Sequence, residues 1–591
     1  MLKFMYNWII GGYMKKGFTM VELLAVVTIL AAMSLIAFTS YSTIIKNTEI
    51  STEKDLVKTI IYEANILYND YVLKDKQNQL INKDIYDLIY TENKPSDGVL
   101  TINEYGDVKA LVLIENRCYK KDYDSNQVEL IKDEECDFDN YKPLYKDIIL
   151  NGADPELDEG MIPVIIASDG SLTKANLKEE WYNYASKNWA NIVLVTDESR
   201  NKYIESKPGT EINVSDILAY YVWIPRYKYK IFTDVDNLEN VGSITGPEEY
   251  VNKAQIINIQ FENKRTSKSN GSNKGEWLTH PAFTFGNSEL NGIWVGKFET
   301  TGTASKPTVL GYDSRYTETS NITSLRSQNV STQFLTSGKI NYGLSNKEAS
   351  MLKNMEWGAV AYLSASVYGQ GTTEVMINNS STLNTGCAAT VAPTISYGGY
   401  NEQNDHTEGY YAGCENEWYT TNGQKASTTG NIYGIYDMSG GAWEYVMGVM
   451  EDTNGNPASG RNNDYNSGFT GSLTYPNKGS DPSITSITGN IFPNEKYFDI
   501  YSYSTSHITY ERGILGDATY ELDGFANWVD PNGGVRYRTG WHQDYAHFIY
   551  HSAPWFLRGG GYYNGASSGA FAFYPNDGRA HDEFTFRSVL R

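Results

Sequence analysis

Cysteine is scarce: four in 591 residues, Cys118, Cys136, Cys387 and Cys414. There is no CxxC pair and no Cys/His ligand spacing, which argues against a zinc site. Two local pairs, 118 with 136 and 387 with 414, would each close a modest loop. In an oxidising compartment each bridge contributes about 3 kcal/mol, although spacing leaves the connectivity open. Basic charge is also short: 49 Lys and Arg stand against 71 Asp and Glu, for a net charge of −22. Phosphate binding needs basic patches, so nucleic acid is not an expected partner. No Ser-His-Asp set, phosphate loop or fixed-period repeat is present. Only one apolar run is long enough to matter for a membrane, Phe18 to Phe38.

Tyrosine, by contrast, is abundant at 47 residues, as is glycine at 52. With frequent Asn and Ser, this describes a loop-rich, β-rich, outward-facing protein. Tyrosine gives large contact area, few torsions and a polar tip, which suits recognition surfaces as well as strands. The length calls for two to four domains.

The run KKGFTMVELLAVVTILAAMSLIAF, Lys15 to Phe38, spans roughly 30 Å as a helix, the thickness of a bilayer core. It nevertheless carries Glu22, and a carboxylate at mid-bilayer costs about 2.5–3.5 kcal/mol. A signal peptide places small residues after its apolar core; here Gly17 precedes it. These residues resemble the class III prepilin leader of type IV pilins and pseudopilins. The resemblance implies cleavage after Gly17 by a prepilin peptidase, N-methylation of Phe18, and pairing of Glu22 with the terminal amine of a neighbouring subunit. The costly acid is then a registration device between helices. The leader comprises residues 1–17, or starts at Met14.

No Pro or Gly interrupts Phe18 to Leu73. Leu56, Ile60, Ala64, Leu67 and Tyr71 recur at helical spacing. One long helix is expected, a transmembrane helix in its first half and packed on a small antiparallel sheet in its second. Strands are expected at Val99–Ile102 and Val108–Glu115 around a turn at Tyr105–Asp107. Cys118 and Cys136 bracket a polar loop, and in the pilin family such a pair often closes the sheet. The pilin-like part covers residues 18–140. Residues 141–217 read as a connector, a small β-unit or the first part of the next domain, with a hairpin tip at Asp169-Gly170. Ala219–Phe232 reads as one strand with Arg226, Lys228 and Lys230 on a solvated face. Residues 233–290 and 450–510 read as long surface loops.

Three further segments occur in order: GIWVGKFETTG from Gly292, NIYGIYDMSGGAWEYVMG from Asn431, and WFLRGGGYYNGASSGAFAFYPNDGRAHDEFTFRSVLR from Trp555. Together they resemble the formylglycine-generating-enzyme-like branch of the C-type lectin fold, over residues 218–591. The overall class is therefore α+β, a pilin helix and small sheet followed by a large loop-rich lectin-like domain. A helix ending the stretch from Ser345 should bury Met355, Ala359 and Leu363. Gly440-Gly441 permits a tight turn before Trp443. Arg558 and Arg587 should meet core carboxylates or carbonyls.

In some members of that family calcium sits on the segment matching Asp437–Glu444. Carried over, Asp437 and Glu444 would give carboxylates and Gly440 and Ala442 carbonyls, hard donors suited to Ca²⁺. The enzymatic members use a Cys pair in the closing segment; this chain has no Cys after Cys414, so an enzyme is not expected. His542, His547 and His551 cluster, but their spacing fits neither one helix face nor one strand face. What remains is display. Tyr562, Tyr563, Asn564, Ser567, Ser568, Tyr574, Asn576, Asp577 and His581 are the exposed candidates for ligand binding, aromatic and short polar residues between glycines. They also resemble the variable region of proteins diversified by retroelements.

The combined expectation is a minor or tip pilin-like protein at the cytoplasmic membrane and then the cell surface. Other pilin subunits pack on its helix, and its outward domain is adhesin-like, binding an unknown protein or glycan. The alternatives are a pseudopilin of a secretion or DNA-uptake machine and an uncharacterised enzyme on the same fold.

Overall fold

The computed structural model describes residues 20–73, 95–136, 151–231, 256–315, 322–391, 412–460, 466–469, 492–521 and 541–591, apart from positions 96, 103–106, 124, 126, 133–134, 178, 265–267, 273–275, 508–511 and 520. Gly17, Phe18 and the side chain of Glu22 lie outside that description. The chain divides into two units, Met1–Ile148 and Ile149–Arg591.

In the first unit an unbroken helix runs Met20–Leu73, as the absence of Pro and Gly dictates. Its C-terminal half buries Val57, Ile60, Ile61 and Ala64 against Leu100, Val108, Ala110, Val112 and Tyr119. The Leu67 and Tyr71 side chains fall outside the described residues. The sheet is an antiparallel meander of Asp97–Ile102, Val108–Ile114, Arg117–Lys121 and Glu129–Ile131. Helix and sheet are also tied by charge. Glu53 takes a 2.7 Å bond from Arg117 Nε and a further bond from the Tyr119 hydroxyl. The Arg117 hydrogen bond holds the Glu53 carboxyl below its usual range. Cys118 is bridged to Cys136, which fastens the segment after the last strand to the third. Toward its start the helix exposes Met20, Val21, Leu24, Val27, Ile29 and Leu30. Even so, no helix among the described residues is long and apolar enough to cross a membrane, so the expected span is not met there.

Two large sheets frame the second unit. The larger has eight strands in the order Ala349–Met351, Ser588–Leu590, Gly292–Gly296, Ile217–Pro225, Asn191–Val195, Ile162–Ile166, Leu172–Lys174 and Glu211–Ile212. Its described pairings are all antiparallel. The segment left open as connector, separate β-unit or start of the next domain supplies half of this sheet, with the expected hairpin turning at Gly170 (φ +78°). The smaller sheet is centred on Trp443–Met450. Trp555–Gly559 lies antiparallel along one edge, followed by Gly569–Asn576. Phe584–Phe586 and Asp499–Tyr501 lie parallel along the other, at its start and end. The three sequence segments singled out toward the C-terminus are thus neighbours in space.

Two expectations need correction. Ala219–Phe232 is not one strand: it breaks after Pro225, and Tyr227–Lys230 joins a separate three-stranded sheet with Asn258–Phe261 and Leu278–Thr279. Arg226, at the break, is fully buried rather than solvated, 2.7 Å from Glu289 and 3.4 Å from Glu262. A buried guanidinium requires such partners. Lys228 Nζ and Lys230 Nζ lie over the Trp277 ring, 5.3 and 5.6 Å from its centroid. The stretch 233–290 likewise holds strands and a buried Phe283 among its described residues. Phe261, Phe283 and Phe285 are core anchors.

Candidate functional site

The helix Asn354–Ser364 buries every residue, Met355, Ala359 and Leu363 among them. Beside it the turn Asp437–Ala442 is shaped by backbone geometry. Gly440 and Gly441 sit at φ +78° and +72°. A Cβ on Gly440 would fall 2.4 Å from the Asn378 carbonyl oxygen, so only glycine fits. Asp437 is buried and also has positive φ, +61°. Its carboxylate accepts Gly386 N–H and Asn378 Nδ2 at 2.9 Å. Glu444 is bound by Arg587 on both oxygens. Arg587 also donates to the carbonyls of Gly296 and Tyr436, at 2.9 Å each.

A third buried carboxyl, Glu299, completes this core. It accepts Ala442 N–H at 3.0 Å and meets the Ser324 hydroxyl. Burial, then the charges of Asp437 and Glu444, push its carboxyl far above the usual range. Ser324 Oγ also lies 3.1 Å from the Leu383 carbonyl. One hydroxyl proton cannot serve both acceptors, so a protonated Glu299 donating to Ser324 satisfies the chain. The Asp437 and Glu444 oxygens are taken by N–H and guanidinium donors, and Ala442 presents its N–H to Glu299. The two carboxylates thus fasten the segment to Asn378, Gly386 and Arg587. Among the described residues no group of three or more His, Cys, Asp or Glu is arranged to hold a metal.

The three histidines of the sequence WHQDYAHFIYHSAPW diverge. His542, at φ +57°, packs on Trp541 and Phe571. His551 lies against Tyr550 and Tyr503. His547 lies against His507 and Tyr574, 4.5 and 5.4 Å between ring centroids. Burial lowers the His547 ring to about 3, so it is neutral at physiological pH.

His547 belongs to a continuous aromatic strip. Its anchor is Trp443, buried at the start of the central strand. Tyr574 packs on Trp443 at 5.6 Å and on Tyr545 at 5.4 Å. Tyr550 stacks on His547 with 7° between planes. At the other end Tyr563 packs against the same core cluster as Trp443 and meets Tyr562 edge-on at 5.2 Å. Tyr562, Tyr563, Tyr574, Tyr545, His547 and Tyr550 are all part-exposed. Backbone pairing positions them: Phe573 N–H donates to Tyr545 O at 2.7 Å, and His547 N–H to Phe573 O at 3.0 Å. This adds 545–547 alongside the strand Gly569–Asn576. Alternation then turns Tyr545 and His547 outward and Ala546 inward.

Of the nine residues expected on this surface, six are part-exposed: Tyr562, Tyr563, Asn564, Tyr574, Asp577 and His581. Three are not. Ser567, Ser568 and Asn576 are buried. Ser568 Oγ donates to the Gly561 carbonyl at 2.8 Å, and Asn576 Oδ1 accepts the Tyr445 hydroxyl at 2.6 Å. They hold the turn and strand in place. Tyr545 and Tyr550 join the strip beyond the residues expected from sequence, Tyr545 through the pairing of its carbonyl with Phe573. Arg558 is structural, bound to Asn354 and to the carbonyls of Asp517 and Ala518. A separate groove of ≈ 1050 Å³ beside the edge strand Glu211–Ile212 contains none of the candidate residues. Cys387 and Cys414 are bridged.

The family model for the prokaryotic N-terminal methylation motif matches residues 13–38. No curated protein matches the chain. The N-terminus is therefore type IV pilin-like. This motif implies a membrane-anchored or surface pilus protein that a prepilin peptidase processes and that assembles with other pilin subunits.

Proposed function

We propose that the protein is a minor or tip subunit of a pilus-like fibre that carries an adhesin-like, ligand-binding domain at the cell surface. The observation that supports this most is the strip of part-exposed rings on a rigid sheet, joined to a pilin-type N-terminus. Large rings with few torsions bind at low entropic cost, and their hydroxyl tips add polar contacts. The closing segment, residues 555–591, resembles lectin-like variable regions, and its part-exposed residues are those such a region would vary. A domain of this size crowds a fibre shaft, which favours sparse or terminal placement. The test is labelling of intact cells with antibody against the second unit, in wild-type and prepilin-peptidase-deficient strains. Surface label lost in the deficient strain is the expected result. Label that is unchanged there, or absent from both strains, rules the reading out.

A further inference from the structure

The Asp544 side chain is only 1% exposed. Its Oδ2 accepts Phe571 N–H at 2.8 Å. Its Oδ1 is buried and meets no donor among the described residues. The carboxylate lies flat against Gly569, where any Cβ would come within 2.1 Å of both oxygens; glycine there lets an acid sit directly on the backbone. Ser567 is drawn to the same place by Tyr545 N–H, which donates to its carbonyl at 2.9 Å. The Ser567 hydroxyl is 3% exposed as a residue and is likewise without a partner among the described residues. A second carboxyl, Glu374, is near enough that burial and then Asp544 push it well above the usual range. Arg558, whose charge reaches Asp544, is committed to Asn354 and two carbonyls.

As an acceptor, Asp544 Oδ1 finds no donor among the described residues. A buried unpaired oxygen of this kind costs about 1–3 kcal/mol, more when charged. Two orphaned oxygens and a neighbouring carboxyl are hard donors from three separate chain segments, a set that a hard cation satisfies. We infer that Asp544, Glu374 and Ser567 form a site for a hard divalent cation, calcium being the best fit, at the root of the aromatic strip. Bound there, the ion cross-links the 374 loop, the segment bearing Tyr545 and His547, and the Gly565–Ser567 turn. It would stiffen the display surface without touching a ligand. This site is distinct from the Asp437–Glu444 turn, whose oxygens are already taken.

The test uses the full-length protein, detergent-solubilised and stripped with chelator. Terbium ion is added, and its emission is read on excitation of tryptophan; Trp541 and Tyr545 flank Asp544. The expected result is sensitised emission that calcium displaces. Asp544→Asn and Glu374→Gln should each weaken it on the order of tenfold, since carboxylate count tunes such sites. Asp577→Asn, on the part-exposed surface, should leave it unchanged. Circular dichroism checks the fold; if Asp544→Asn does not fold, Glu374→Gln at its part-exposed position carries the test. Emission no greater than that of free terbium means water alone fills the site and overturns the inference. So does emission indifferent to both substitutions.

Discussion

Arg587 closes on Glu444 with two guanidinium nitrogens, and both side chains are fully buried. The pair joins the last strand region to the central strand, directly across from the Asp437 turn. It explains why an arginine stands near the end of the closing segment and why the turn is followed by an acid.

Breaking this pair should be costly, because the surviving charge has no solvent to turn to. Arg587→Met is expected to lose about 3–5 kcal/mol, seen as a lower denaturant midpoint. The double variant Arg587→Met with Glu444→Leu should recover much of the loss. A single variant as stable as the parent would contradict the assignment.

The loop 512–521 is held by Glu521. It accepts the hydroxyls of Tyr229 and Tyr362 and the N–H of Gly516. Burial pushes its carboxyl up to about 7, so the folded state binds a proton that the unfolded state releases near the ordinary glutamate value. Stability from this group is present at low pH and falls as pH rises from about 4.5 to about 7. Against the parent, Glu521→Gln should therefore melt relatively higher at pH 8 than at pH 5. A melting difference independent of pH would refute the assignment.

The aromatic strip should carry attachment. Tyr545→Ala and Tyr574→Ala are each expected to weaken adhesion to surfaces the parent cells colonise by roughly thirtyfold, the scale of an interface hot spot of about 2 kcal/mol. Ser568→Ala should act through stability instead. Melting temperatures measured alongside separate the two effects. Adhesion that survives both tyrosine substitutions would remove the strip from the account.

Much of this architecture was legible because its signals are local. An uninterrupted apolar run gives a helix, Asp169-Gly170 gives a hairpin, and Gly440-Gly441 gives a turn that tolerates no side chain. Arg558 and Arg587 were readable as core ties. What escaped depends on long-range pairing. Arg226 looks like one of three cations on a strand face, yet the chain breaks after Pro225 and buries it between Glu289 and Glu262. Ser567, Ser568 and Asn576 have the composition of a binding surface, but neighbouring segments turn them inward. Tyr545 joins the strip only because its carbonyl pairs with Phe573, 28 positions away. The local sequence carries no trace of that contact.

The central claim is that this chain is processed as a pilin, and mass spectrometry of the N-terminal peptide from the mature cellular protein tests it most directly. The account predicts a chain beginning at Phe18 with a methylated amine. A mature chain that retains Gly17, or that begins anywhere other than Phe18, would contradict it.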